Sequence, residues 1–230
     1  MDFGEILEPT SRAFWDGLSE LEEEPRPAPT LEWHWLTEDG KESYPKEIEL
    51  FVVIEGSRIS EFVNTAILKD KTPICKLVGG SGAVYLLTDT KVVYISEEND
   101  LNLSGLTTEL LQNWLQIAKR VITISIQPQV LYKGIDWSDV KSFVFIRGIN
   151  SEMEDIKELE APNFITGVSA GAAYWRYHKN LSISSYVAYI DSEDLDAVST
   201  EPILKLLHGI DLPCDRKFVA RAKEQSHLYM

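Results

Sequence analysis

Glu49-Leu50-Phe51-Val52-Val53-Ile54-Glu55 decides the fold. Its five consecutive apolar residues, stopped by Gly56, suit a strand covered on both faces, because a strand with one wet face would alternate polar and apolar side chains. Immediately downstream, Ile59, Phe62, Val63, Ala66 and Ile67 recur at the 0, 3, 4, 7, 8 spacing of one helical face, with Ser57 placed to cap it. A buried strand running into an amphipathic helix is the opening of an α/β sheet.

The pattern continues away from that stretch. Residues 83–87 and 92–96 are rich in β-formers and flank Thr88-Asp89-Thr90-Lys91, a hairpin signal. From 104 to 120 the period becomes helical, with Leu106, Leu110, Leu111, Trp114 and Ala118 on one side and Lys119 and Arg120 at the carbonyl end. Strands are expected at 121–126, 142–147, 162–166 (short) and 184–190, and a helix at about 169–178. The last helices are expected at 200–208, opened by Thr200-Glu201-Pro202 and closed by Gly209, and at about 214–223. The fold class is therefore α/β, with a mixed, mostly parallel central sheet flanked by helices, an extended acidic N-terminal arm and a flexible C-terminal tail.

Three regions follow: an arm at 1–47, a single α/β domain at 48–224 and a tail at 225–230. In the arm, Glu20, Glu22, Glu23 and Glu24 run into Pro25, Pro27 and Pro29, so like charges and missing backbone donors favour extended chain. Trp15, Trp33, His34 and Trp35 are too apolar for a bare linker and are expected to lie against the main body, which is favoured, or against a partner.

With 22 basic against 37 acidic residues the net charge is −15, which repels phosphate backbones and anionic membranes and favours a protein partner bearing basic patches. No stretch approaches the about 18 to 20 apolar residues of a membrane span. Cys75 and Cys214 are too few for a disulfide framework, so a reducing, cytoplasmic setting is expected, with the nucleus as a second compartment.

Enzymatic chemistry has one candidate. Gly167-Val168-Ser169-Ala170-Gly171 matches the G-x-S-x-G elbow that lifts a nucleophilic serine above a sheet. Asp191, Asp194, Asp196, His208 and His227 follow in hydrolase order. The alternative is that small residues let a helix pack closely and that Ser169 caps it. No oxyanion loop of the His-Gly-Gly type accompanies the motif, and the structural reading is favoured. Gly79-Gly80-Ser81-Gly82 lacks the lysine and spacing of a phosphate loop and reads as a turn between strands. His34, His178, His208 and His227 make no metal-ligand pattern, and no cofactor is expected. The acidic run 151–160 reads as a solvated face or loop, or as a surface for a basic partner.

The chain ends His227-Leu228-Tyr229-Met230, a hydrophobic residue, a tyrosine, then a residue carrying the terminal carboxylate. Together with Phe51-Val52-Val53-Ile54, Val121-Ile122-Thr123-Ile124, Tyr132-Lys133, Ala161-Pro162-Asn163-Phe164-Ile165 and Glu201-Pro202-Ile203-Leu204, this ending resembles the proteasome assembly chaperone 1 family. The resemblance spans most of the chain from about Leu50. It implies a non-enzymatic scaffold that heterodimerises with proteasome assembly chaperone 2 and gathers proteasome α-type subunits into a ring. Leu228, Tyr229 and Met230 would then dock between neighbouring α subunits, with the carboxylate meeting a lysine. A proteasome activator using the same tail, and a serine esterase using Ser169, are the alternative readings.

Overall fold

The structure is a computed structural model that describes residues 30–36, 42–56, 62–69, 71–96, 101–134, 144–191 and 197–214. From Leu31 onward these belong to one compact unit. Its centre is an eight-stranded sheet: β1 (Glu32–Trp35), β2 (Ile48–Glu55), β3 (Cys75–Val78), β4 (Gly82–Thr88), β5 (Lys91–Ser96), β6 (Ala118–Pro128), β7 (Val144–Ile149) and β8 (Ser184–Ile190), in the spatial order β1-β3-β4-β5-β2-β6-β8-β7. Among the described residues three α-helices pack on it: α1 (Ser104–Ile117), α2 (Gly167–His178) and α3 (Ala197–Gly209).

The continuous apolar run becomes the central strand. β2 pairs in parallel with β5 on one side and β6 on the other, and β6 pairs in parallel with β8. Leu50, Val52 and Ile54 face a core closed by Phe62, Val63, Ala66 and Ile67 and by Ile203, Leu206 and Leu207 of α3. Phe51 and Val53 face the opposite core, closed by Leu111, Trp114 and Leu115 of α1 and by Val168 and Ala172 of α2. A five-residue apolar run is what a strand sandwiched this way requires.

The sheet is mixed, as expected, but its balance differs from the mostly parallel sheet anticipated. Parallel pairing is confined to the centre, β5-β2-β6-β8, while β1-β3, β3-β4, β4-β5 and β7-β8 are antiparallel, so among the described strands four pairings out of seven are antiparallel. Short connections such as the β4-β5 hairpin can only return antiparallel, whereas a parallel step needs a crossover.

Several element boundaries move. The helix read over 104–120 ends at Ile117, and Lys119 and Arg120 lie in β6, where Arg120 is registered with Leu50. Pro162 to Thr166 carry no strand: Asn163 N–H donates to the Glu160 carbonyl and its side-chain amide donates to the same carbonyl at 2.8 Å, which makes a turn. The helix expected at 200–208 starts at Ala197, so Pro202 sits inside it rather than at its opening. Phe62 and Val63 lead into a π-helical turn at Asn64–Leu68, while Ser57 and Ile59 lie outside the described residues. Cys214 is not helical, and the remainder of the helix expected near 214–223 lies outside the described residues.

Within the expected arm, Glu32–Trp35 forms an edge strand registered on β3. Trp33 Nε1 donates to the Leu110 carbonyl at 3.1 Å, and Trp35 stacks on Trp114 at 6.0 Å between centroids, so both indoles pack on the domain as anticipated. Trp15 and the acidic-proline stretch lie outside the described residues.

Candidate functional site

The serine motif folds into the start of α2, and its position decides its chemistry. Ser169 is fully buried, and the end of the helix where it sits is already occupied by a carboxylate from β2. Glu55 accepts the N–H of Val168 at 2.9 Å and of Ser169 at 3.0 Å, filling the positive end of the helix that an anion would otherwise seek. Gly167 makes this possible: its φ is +72°, and a Cβ there would collide with the Glu55 carboxylate. Burial raises the pKa of Glu55, opposed by the two amide bonds. The cap of α2 is thus Glu55 and not Ser169, a correction to the reading from sequence.

Among the described residues, the histidine that hydrolase order would require is not there. α3, which carries His208, packs on the core of Leu50 and Val52, whereas Val168 of α2 packs on the core of Phe51 and Val53, so the sheet stands between them. His208 instead lies 3.4 Å from Cys214 Sγ. Asp194, Asp196 and His227 lie outside the described residues. Burial pushes the Cys75 thiol up to about 12, which leaves it inert in β3. Among the described residues no group of three or more His, Cys, Asp and Glu is arranged to hold a metal, and no helix is long and apolar enough to cross a membrane. Gly79 and Gly80 form the expected turn between β3 and β4.

The feature that stands out is the other side of α2. Ala170, Ala173, Tyr174 and Tyr177 follow one another at helical spacing, and Tyr174 and Tyr177 are 67% and 75% exposed. With Phe164, itself 67% exposed, and Ile149 at the end of β7, they border a groove of about 680 Å³. Val130 and Leu131, which precede Tyr132, are also exposed. An apolar grouping of this kind on a water-facing surface marks a contact site more often than a solvent boundary.

Phe164 is held outward by a polar latch. Lys133 N–H donates to Asn163 Oδ1 at 2.8 Å, Asn163 Nδ2 donates back to the Lys133 carbonyl, and Gln127 Nε2 donates to the Phe164 carbonyl at 3.4 Å. Behind the latch, Tyr132, Phe145 and Tyr189 pack edge to face or stacked with centroids 4.9 to 5.2 Å apart, and the Arg147 guanidinium lies over the Phe145 ring at 4.9 Å. The loop is therefore anchored on a rigid aromatic base.

The groove's charge is as informative as its shape. From Ala161 to Ile190 the chain contains no Asp or Glu, in a protein with 37 of them. Among the described residues that line the groove the carboxylate is Glu152, bridged to Arg120 at 2.6 Å. Reading the sequence did not single out these residues as a surface, because apolar residues at helical spacing do not say which side of a helix is covered. The acid-free stretch was the signal that could have found them. Leu228, Tyr229 and Met230, the residues singled out from sequence, lie outside the described residues.

No protein-family model matches the chain, and no curated protein matches it. Solved structures do match in fold. Pyrococcus furiosus PbaA, described as an archaeal homolog of proteasome-assembly chaperone, superposes with a TM-score of 0.58 at 14% identity over 86% of this chain and 87% of that one. P. furiosus PbaB, described as an archaeal proteasome activator, gives 0.57 at 11% identity over 86% and 96%. A Corynebacterium glutamicum protein of unknown function gives 0.56 at 12% identity over 85% and 87%. The chain shares its fold with proteasome-assembly-chaperone homologues.

Proposed function

We propose that this protein is a proteasome assembly chaperone, a non-enzymatic scaffold that pairs with proteasome assembly chaperone 2 and gathers α-type subunits of the proteasome core. The observation that carries the reading is the fold shared with PbaA along most of both chains. The exposed aromatic groove, the filled N-terminus of α2 and the ending Leu228-Tyr229-Met230 support a binding protein over a hydrolase.

The tail is a weak anchor by itself. Burying Leu228 contributes about 1.5 to 3 kcal/mol, and a charge-assisted bond from the terminal carboxylate about 1.5 to 3 more. Before ordering costs, that corresponds to roughly millimolar binding or somewhat tighter. Capture of α subunits then requires a second contact on the folded body, or a second tail on the partner chaperone, so that effective concentration multiplies the two.

The test is affinity capture of the full chain from cells, with and without residues 228–230. α-Type subunits and chaperone 2 are expected with the full chain. The truncated chain is expected to keep chaperone 2 and lose most of the α subunits. Undiminished α-subunit capture after truncation overturns the tail's role, and absence of proteasome subunits from both captures overturns the function.

PbaB gives a second reading, an activator of the mature particle, its support being the comparable fold match. Stimulation of peptide cleavage by purified mature proteasomes on adding the chain would favour it, and an unchanged rate favours the chaperone.

A further inference from the structure

We propose that Cys214 and His208 form a thiol–imidazole pair that exchanges with a low-molecular-weight disulfide, leaving Cys214 as a reversible mixed disulfide. The pair is placed by the way α3 ends. Asp211, at φ +62°, turns the chain back after Gly209, and the last turn's carbonyls are answered locally. Ile210 N–H donates to Leu206, Asp211 N–H to His208 and Leu212 N–H to Leu207, at 2.9 to 3.0 Å. Lys91 of β5 then grips Asp211 twice, its Nζ donating to the carbonyl at 2.7 Å and to the carboxylate at 2.5 Å. Leu212 is buried and anchors the returning chain in the core. This fixed turn sets Sγ of half-buried Cys214 3.4 Å from Nε2 of exposed His208, six residues earlier.

A free thiol is mostly protonated at neutral pH and attacks slowly, whereas a base within hydrogen-bond reach supplies the thiolate as it is needed. The other charges about the pair are already matched. Asp211 is held by Lys91, Lys205 one turn back on α3 by Asp155, and Arg120, which acts on Asp211, by Glu152. Among the described residues that leaves His208 as the base beside the sulfur.

The exchange balances with the disulfide as its own oxidant. Cys214 sulfur attacks one sulfur of the reagent, a new S–S bond forms as the old one breaks, and the electron pair of the broken bond leaves on the expelled thiolate. His208 accepts the Cys214 proton and passes it to that thiolate, so Cys214 is oxidised and the expelled half is reduced. Cys75, the chain's other cysteine, cannot displace the adduct: it is fully buried in the core of Phe51 and Val53, whereas Cys214 packs on the core of Leu50 and Val52 across the sheet. The mixed disulfide therefore persists until an outside thiol removes it.

The experiment treats the folded full chain with oxidised glutathione and follows the adduct by mass spectrometry of the intact chain and its peptides. The wild type is compared with Cys214→Ser, His208→Asn and His208→Gln, near pH 7 and near pH 9.5. The expected result is a single glutathione on Cys214, released by dithiothreitol and absent from Cys214→Ser, with thermal midpoints preserved because both side chains lie at the surface. Both histidine variants should react about tenfold or more slowly near pH 7 and match the wild type near pH 9.5, where a thiol ionises unaided. No adduct on the folded wild type, or one that forms as fast on Cys75, overturns the site. Histidine variants as fast as the wild type near pH 7, or slowed equally at both pH values, overturn the role of His208 as the base and with it the pair.

Discussion

Along α2, Val168, Ala172 and Arg176 are at most 4% exposed, whereas Tyr174 and Tyr177 on the opposite side are 67% and 75% exposed. Residue type would suggest the reverse, since an arginine is rarely buried and large aromatics usually are. The inward side is complete within the chain. Arg176 makes five hydrogen bonds to four backbone carbonyls: Leu115 and Ala118, where α1 ends, Lys119 at the start of β6, and Ser182 in the turn after α2. Carbonyls at a helix C-terminus lack intrahelical partners and carry partial negative charge, which is what a fork of five N–H donors can satisfy. On the outward side no such closure is present among the described residues, and Tyr174 and Tyr177 face water. The helix divides the work, one side holding the fold and the other offering a surface.

The strongest way to break this contrast is to remove the arginine. Arg176→Met keeps much of the side-chain volume but leaves four buried or half-buried carbonyls without their donor, and the expected loss of stability is about 3 kcal/mol or more. Urea unfolding followed by circular dichroism measures it. Arg176→Lys is expected to recover only part of the loss, because one ammonium cannot reproduce the planar fork. A midpoint within error of wild type for the methionine variant would mean that the inward side is not what fixes α1, α2 and β6 together.

A sharper probe compares neighbours. Ala172 is fully buried against the core of Phe51 and Trp114, while Ala173 borders the groove. Ala172→Leu forces three carbons into a packed layer and is expected to cost about 1 to 3 kcal/mol. Ala173→Leu should stay within about 0.5 kcal/mol of wild type while narrowing the groove. Thermal melts of the two variants side by side decide it, and equal losses would erase the distinction between the two sides.

How much of this was legible beforehand depended on whether a signal was local. The apolar run 50–54 and the strand Ser184–Ile190 were readable because strands buried on both faces have few alternatives. The end of α1 was not, since Ala118, Lys119 and Arg120 are all good helix formers, and only pairing with Ile48 and Leu50 of β2 draws them into a strand. Glu55 looked like the close of a strand, and nothing near it in sequence hints that it meets Val168 and Ser169, 113 and 114 residues away. The sides taken by Arg176, Tyr174 and Tyr177 had no local signal either, because periodicity reports that a helix has apolar positions and not which of two apolar sides is covered. The tail, prominent in the sequence, lies outside the described residues, so its role rests on the capture experiment.

The smallest expected effect concerns the end of α2 where its inward side begins. Glu55 is buried and its pKa is raised, burial outweighing the help from the Val168 and Ser169 amides. An acid whose pKa is higher folded than unfolded binds its proton more tightly in the native state, so that its contribution is fully present below the unfolded value. It is lost as pH rises from the ordinary carboxylate range through the raised folded value. Glu55→Gln keeps an oxygen for one of the two amides, sets its NH2 against the other at a cost that does not vary with pH, and removes the ionisation. The wild type should therefore lose stability relative to Glu55→Gln as pH climbs through that window, while below it the difference between the two levels off. Urea midpoints of the two proteins from acid to neutral pH give the comparison directly. A difference that does not change with pH would show that the carboxylate meets α2 in the same protonation equilibrium folded and unfolded. A difference of the opposite sign would mean that the two amides and the positive end of the helix outweigh burial, making this end of α2 a site that holds an anion rather than one that resists it.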